Sequence, residues 1–435
     1  MRQTRSSIPI VGLVLLKWLV GCDSGRSWLG SGPVENAAGD TGSAGAVAGG
    51  AGSSGEGTPD CRGLVTDTLP HPMTQLGKPD RFEASVDPEF GTRIVRVTDV
   101  QTETGGSAIV PMYSTIPAWN ADESYLLLYE VSVGHRLYDG HSYEFVRRLD
   151  IEPADLEQVY WHPRDPDRLY FVRGNELTEY SVSQDTTTVR HTFADCESVS
   201  AGEDPMYISW DGASFGMLCE DTGRAFVYHL DTNTETASVP SSVLGAQVAP
   251  SGELVLLGGD VYDGDMHLVR SLDLNDPRLN ASLGQLENGR DTLNAVAYDS
   301  GPRGSGTGTL VVFDLATGQD TVVVGQDTGY PYPPSGTHIS AVAHRAPGWV
   351  AVSVVGDRQD GQELLDNELL LVDTNTSLVC RIGHHRSRGD DGPNGYFAAP
   401  HVVVSPSATR VVFGSDWGGG PTVDTYAVEL PSFRQ

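Results

Sequence analysis

Lysine is almost missing from this sequence: of 28 basic residues only Lys17 and Lys78 are lysines, against 58 acidic residues. The formal charge is −30 and no basic run stands out. Such a field repels phosphate backbones and anionic headgroups, which excludes nucleic-acid binding. Cysteine is scarce too, with five residues and no C-x-x-C spacing, so a zinc knuckle is excluded. There is no G-x-S-x-G nucleophile elbow. The one marked apolar run, residues 8–20, is too short for an ordinary membrane span. What remains is abundant: 39% apolar residues, 51 Gly and 26 Pro in 435 residues. That composition suits a packed fold of many short strands and turns.

The N-terminus reads as an address. Arg2 and Arg5 precede the apolar run, interrupted by Lys17, and Leu19-Val20-Gly21-Cys22 closes it. This pattern resembles a bacterial lipobox, which implies a lipoprotein signal peptide over 1–21 and acylation of Cys22. Cleavage would take the charge from −30 to −33. Residues 22–60 are rich in Gly, Ala and Ser and lack apolar periodicity, so they read as a disordered tether. Such a chain spans roughly 35 Å r.m.s.. Residues 61–435 are left as the folded domain, expected to be exported and lipid-anchored to the cell envelope as a monomer.

One pattern then recurs seven times over about residues 92–430. An apolar strand ends in a polar turn, a second apolar strand follows at once, and a third comes next. Asn120-Ala-Asp-Glu123, Ala249-Pro-Ser-Gly252 and Ser405-Pro-Ser-Ala408 occupy the first turn of their units. Unit five is degenerate, read around Asn294–Tyr298 and Thr309–Leu315. A spacing of roughly 40–60 residues is that of propeller blades. The units resemble the repeat of TolB-like and WD40-like propellers, so the expected fold is an all-β, seven-bladed β-propeller. Unit seven has only three strands before the chain stops, and Thr92–Thr98 is expected to supply its outer strand, closing the ring.

Four cysteines besides Cys22 allow three pairings. The short loop between Cys196 and Cys219, in an exported domain, favours that pair. Cys61 with Cys380 would complete it, with no spacing argument of its own.

Candidate site residues come from register. His338 and His401 each stand four residues before the first turn of units six and seven, so both are expected at one end of the central channel. His384, His385, Arg386 and Tyr396 lie in the connection between these units and are expected over the same sector as ligand-binding groups. The arrangement is similar to that of the oligogalacturonate lyases, seven-bladed propellers in which a Gln-x-x-His-x-His stretch runs into the last Ser-Pro turn. That resemblance implies a divalent metal held by three His and a Gln. Here His401 matches the final His and His338 an earlier one, but Ala399 and Tyr396 stand at the other two positions. No cofactor is therefore certain, and His338 and His401 are the candidate ligands of a divalent metal. Two functions follow: an envelope-anchored module that binds a protein or glycan partner, or a lyase-like carbohydrate enzyme. The sequence leaves open whether the chain is an enzyme.

Overall fold

The structure is a computed structural model that describes residues 59–435, apart from 203–204, 275–279, 302–303, 333–335, 357–358, 390–393 and 435. The signal peptide, Cys22 and nearly all of the tether lie outside the described residues. Among the described residues no helix is long and apolar enough to cross a membrane.

The seven units fold as seven antiparallel sheets, six of them built from the inside outward in chain order and the last completed on its outside by strands from ahead of the first unit. They cover residues 109–148, 159–192, 199–240, 247–271, 281–324, 338–384 and 403–429. The second strands are largely buried, and Ser214–Cys219 and Trp349–Val354 are buried along their whole length. Each blade packs both faces on its neighbours, so the central strands show no alternation between core and solvent. Some fourth strands face water, as in Thr186–Thr192 where only His191 is partly covered, whereas those of blades six and seven, Leu378–His384 and Arg93–Arg96, are largely buried.

The first turns share one geometry. Glu123, Gly212, Gly252 and Ala408 each donate a backbone N–H to the carbonyl three residues back. All four sit at positive φ, between 54° and 81°. Glycine takes that conformation freely. Glu123 and Ala408 accept it because the turns around them are fixed. Glu123 binds the fully buried Arg410 at 2.7 Å and the Ser407 amide at 2.7 Å, which locks blade one to blade seven.

Closure is as expected, with one addition. Arg93–Arg96 pairs antiparallel with Asp424–Glu429, supplying the fourth strand of blade seven. Ala84–Val86 then adds a fifth strand outside it. Both disulfides are present: Cys196–Cys219 within blade three, and Cys61–Cys380 tying the chain before the ring to blade six. In blade five the innermost strand is Ala281–Gln285, so Asn294–Tyr298 belongs to the second strand, not the first.

Candidate functional site

Innermost strands of neighbouring blades are joined at a repeated position. The Ala341 amide donates to Ser282 Oγ at 3.0 Å, and the Val404 amide donates to Ser340 Oγ at 3.2 Å. These bonds align Ser282 of blade five with Ser340 of blade six and Val403 of blade seven. Two residues earlier on each strand stand Asn280, His338 and His401. The register of His338 with His401 is therefore built into the ring.

His338 and His401 meet with ring centroids 4.4 Å apart and planes at 84°. Tyr113, from the innermost segment of blade one, lies 5.8 Å from His338 and 5.4 Å from His401. Tyr396 covers His401 at 4.5 Å. Its hydroxyl donates to Glu157 Oε1, ahead of blade two, at 3.0 Å. Tyr113 also reaches Asn280 Oδ1 at 3.5 Å, and Asn280 donates to the Thr337 carbonyl at 2.9 Å. Contacts from blade seven to blade two and from blade one to blade five cross the channel, so these side chains close it at this end. The opposite end, formed by the first turns, opens into a cleft of about 570 Å³ lined by residues such as Arg164, Trp210 and His344.

Both imidazoles are buried, His401 with 1% of its surface exposed. His338 Nδ1 and His401 Nε2 have no hydrogen-bond partner. Burial pushes His338 down to about 4 and His401 well below its ordinary value, with His338 adding to the effect on His401. Both rings are thus neutral at pH 7 and keep an uncommitted nitrogen. His401 also has φ of 40°, a strained value for a residue with a Cβ. The Gly414 amide pins the preceding Pro400 carbonyl at 2.8 Å. Tyr396 keeps 44% of its surface exposed and is the part of the cluster that faces solvent.

The structure thus brings His338, Tyr396 and His401 together and gives the other three candidates different partners. His385 is satisfied: its Nε2 faces the Val354 carbonyl at 3.1 Å and its Nδ1 accepts the Ser387 amide at 3.0 Å. His384 ends the outer strand of blade six and faces Asp87 and Glu89, and Arg386 turns to the same two carboxylates. Tyr113, Glu157 and Asn280 were not anticipated. Asn280 had a signal, the match of Asn280-Ala-Ser282 to His338-Ile-Ser340. Tyr113 and Glu157 sit at no repeated position and had none.

A resident metal at the channel mouth requires more donors than are there. Among the described residues no acid, thiol or third imidazole completes a set of three with His338 and His401; the group of three lies elsewhere, at Asp87, Glu89 and His384. The two-imidazole set does not fit the metal that the resemblance implied.

These features define a seven-bladed β-propeller whose channel is sealed at one end by an aromatic and imidazole cluster. Among solved structures, an oligogalacturonate lyase from Vibrio parahaemolyticus superimposes with a TM-score of 0.58 at 13% identity, covering 80% of this chain and 96% of that one. An oligogalacturonate lyase in complex with manganese gives 0.57 at 14% identity, covering 81% and 97%. At such identities the likeness is one of fold. No protein-family model matches the chain, and no curated protein matches it in sequence.

Proposed function

We propose that the protein is an exported, lipid-anchored propeller that binds a glycan of the cell envelope at the sealed channel mouth. The observation that carries this reading is the buried His338–His401 pair with an uncommitted ring nitrogen on each, under the half-exposed Tyr396. A tyrosine face offers a sugar ring an apolar platform, and neutral imidazoles offer its hydroxyls donors and acceptors. An unpaired buried polar atom costs about 1–3 kcal/mol, which a ligand hydroxyl would recover. Cys22 and the tether of residues 22–60 would anchor the propeller to a membrane.

The second reading is a lyase-like carbohydrate enzyme. The shared fold of the two oligogalacturonate lyases favours it, and a neutral imidazole is competent as a base. Against it stands the missing ligand set and a charge of −30, which disfavours a polyuronate. Calorimetric titration with neutral and uronate oligosaccharides separates the readings. The binding-module account expects saturable binding, weakened at least about tenfold, or 1.4 kcal/mol, by Tyr396→Ala and His401→Ala. Formation of an unsaturated sugar end by the wild type would establish the enzyme instead. Failure to bind any oligosaccharide would overturn both.

A further inference from the structure

We propose that Asp87, Glu89 and His384 form a binding site for a divalent transition-metal ion at the junction of blades six and seven, separate from the channel mouth. Asp87 and Glu89 lie in the turn of the outer hairpin of blade seven, between Ala84–Val86 and Arg93–Arg96. His384 is the last residue of the outer strand Leu378–His384 of blade six. One ligand atom from each lies within 4.8 Å of the others. His384 Nδ1 is 3.7 Å from Glu89 Oε2 and 3.9 Å from Asp87 Oδ2. Donors around a tetrahedral ion with bonds of 2.0–2.2 Å stand about 3.4 Å apart, so the two contacts of His384 need to shorten by only a few tenths of an ångström, and the carboxylates need to draw together from within 4.8 Å.

The independent observation is the imidazole itself. His384 is fully buried, and neither ring nitrogen has a hydrogen-bond partner; Glu89 Oε2 is an orphan as well. A fully buried imidazole with both nitrogens unpaired calls for a partner that the surrounding side chains do not supply. The neighbours orient the donors as an outer shell would. Asp87 Oδ1 accepts the Glu89 and Phe90 amides, both at 3.1 Å, while Oδ2 accepts the His384 amide at 3.1 Å, which holds this oxygen beside the imidazole with a lone pair to spare. Glu89 Oε1 accepts from the Thr74 amide at 3.1 Å and its hydroxyl at 2.5 Å, which leaves Oε2 free. Phe90 packs edge-on against His384 at 4.9 Å. Arg386 is the competitor. Its Nη2 stands 3.4 and 3.5 Å from the two carboxylates, beyond good hydrogen-bond length, while its Nη1 is committed to the Thr74 carbonyl at 2.6 Å. It lowers the negative charge of the pair without saturating it. One imidazole with two carboxylates suits zinc or manganese and is short of the six to eight oxygens that calcium takes. The ion would clip the hairpin of the closing blade to blade six.

The test uses the full chain, dialysed against excess zinc or manganese chloride and then against buffer, with metal content and thermal midpoint measured. The expected result is one equivalent of metal in the wild type, a raised midpoint, and loss of both effects in Glu89→Gln and His384→Gln. His338→Ala with His401→Ala should keep the ion. Glu89 is the most exposed of the three ligands, so its variant keeps the test meaningful if His384→Gln fails to fold. A folded wild type that retains no metal overturns the proposal. So does retention by a folded Glu89→Gln, or loss of the ion from the channel-mouth double variant.

Discussion

At the scale of single residues, burial decides the protonation of histidine. His135, His338 and His344 are each driven down to about 4 by loss of hydration. Their folded values lie below the ordinary 6.5 of an exposed imidazole, so the unfolded chain binds more protons in between. Stability is therefore full above pH 6.5 and falls as pH drops toward 4, by up to about 1.4 kcal/mol per pH unit for each histidine. Urea unfolding at several pH values should show this slope, with His344→Gln removing one proton's share. Stability that is flat or rising between pH 6.5 and 4 would contradict the burial argument. Residue-scale legibility was partial for a physical reason. His338 and His401 share a repeated strand position, so register found them. His384 is the last residue of the outer strand of its blade, at the edge of the repeat, and it turns to acids 297 and 295 residues away. Asp87 and Glu89 lie in an irregular turn before the first unit, and nothing local marks them.

At the scale of elements, the ring is held where its two ends meet. Arg93–Arg96 bonds to Asp424–Glu429, and Arg96 and Lys78 both reach the fully buried Asp424, at 2.8 and 2.5 Å. Thr92 Oγ1 donates to the Ile382 carbonyl at 2.6 Å, so the closing strand also touches blade six. The two disulfides differ in what they constrain. Cys196 and Cys219 are separated by 23 residues, Cys61 and Cys380 by 319. In the loop-entropy picture these are worth about 3 and about 6 kcal/mol. Denaturant unfolding of Cys196→Ser/Cys219→Ser and of Cys61→Ser/Cys380→Ser should therefore show the larger loss in the second. Equal midpoints in both double variants would count against a closure role for Cys61–Cys380. Strands were legible wherever a Val- or Leu-rich run met a polar turn, as in Arg410–Ser415. Ala281–Gln285 was missed because its only large apolar side chain is Leu283, while Asp291–Ala297 beside it carries the stronger apolar signal. Ala84–Val86 is three residues long with two of them exposed, too little pattern to read.

At the scale of the molecule, seven sheets supply a rigid ring and the chain uses its channel end to gather side chains distant in sequence. The seven-fold count and the closure were readable because they are properties of a repeat. The channel-mouth cluster was readable only in its repeated members, because Tyr113 and Glu157 arrive from across the ring. The proposed function rests on those groups meeting a ligand together. The most direct measurement is histidine ring-nitrogen NMR on selectively labelled protein, titrated with the oligosaccharide that calorimetry identifies. The account predicts that His338 and His401 shift together and saturably, while His344 at the far end of the channel stays put. Ligand binding that leaves both His338 and His401 unmoved would contradict it.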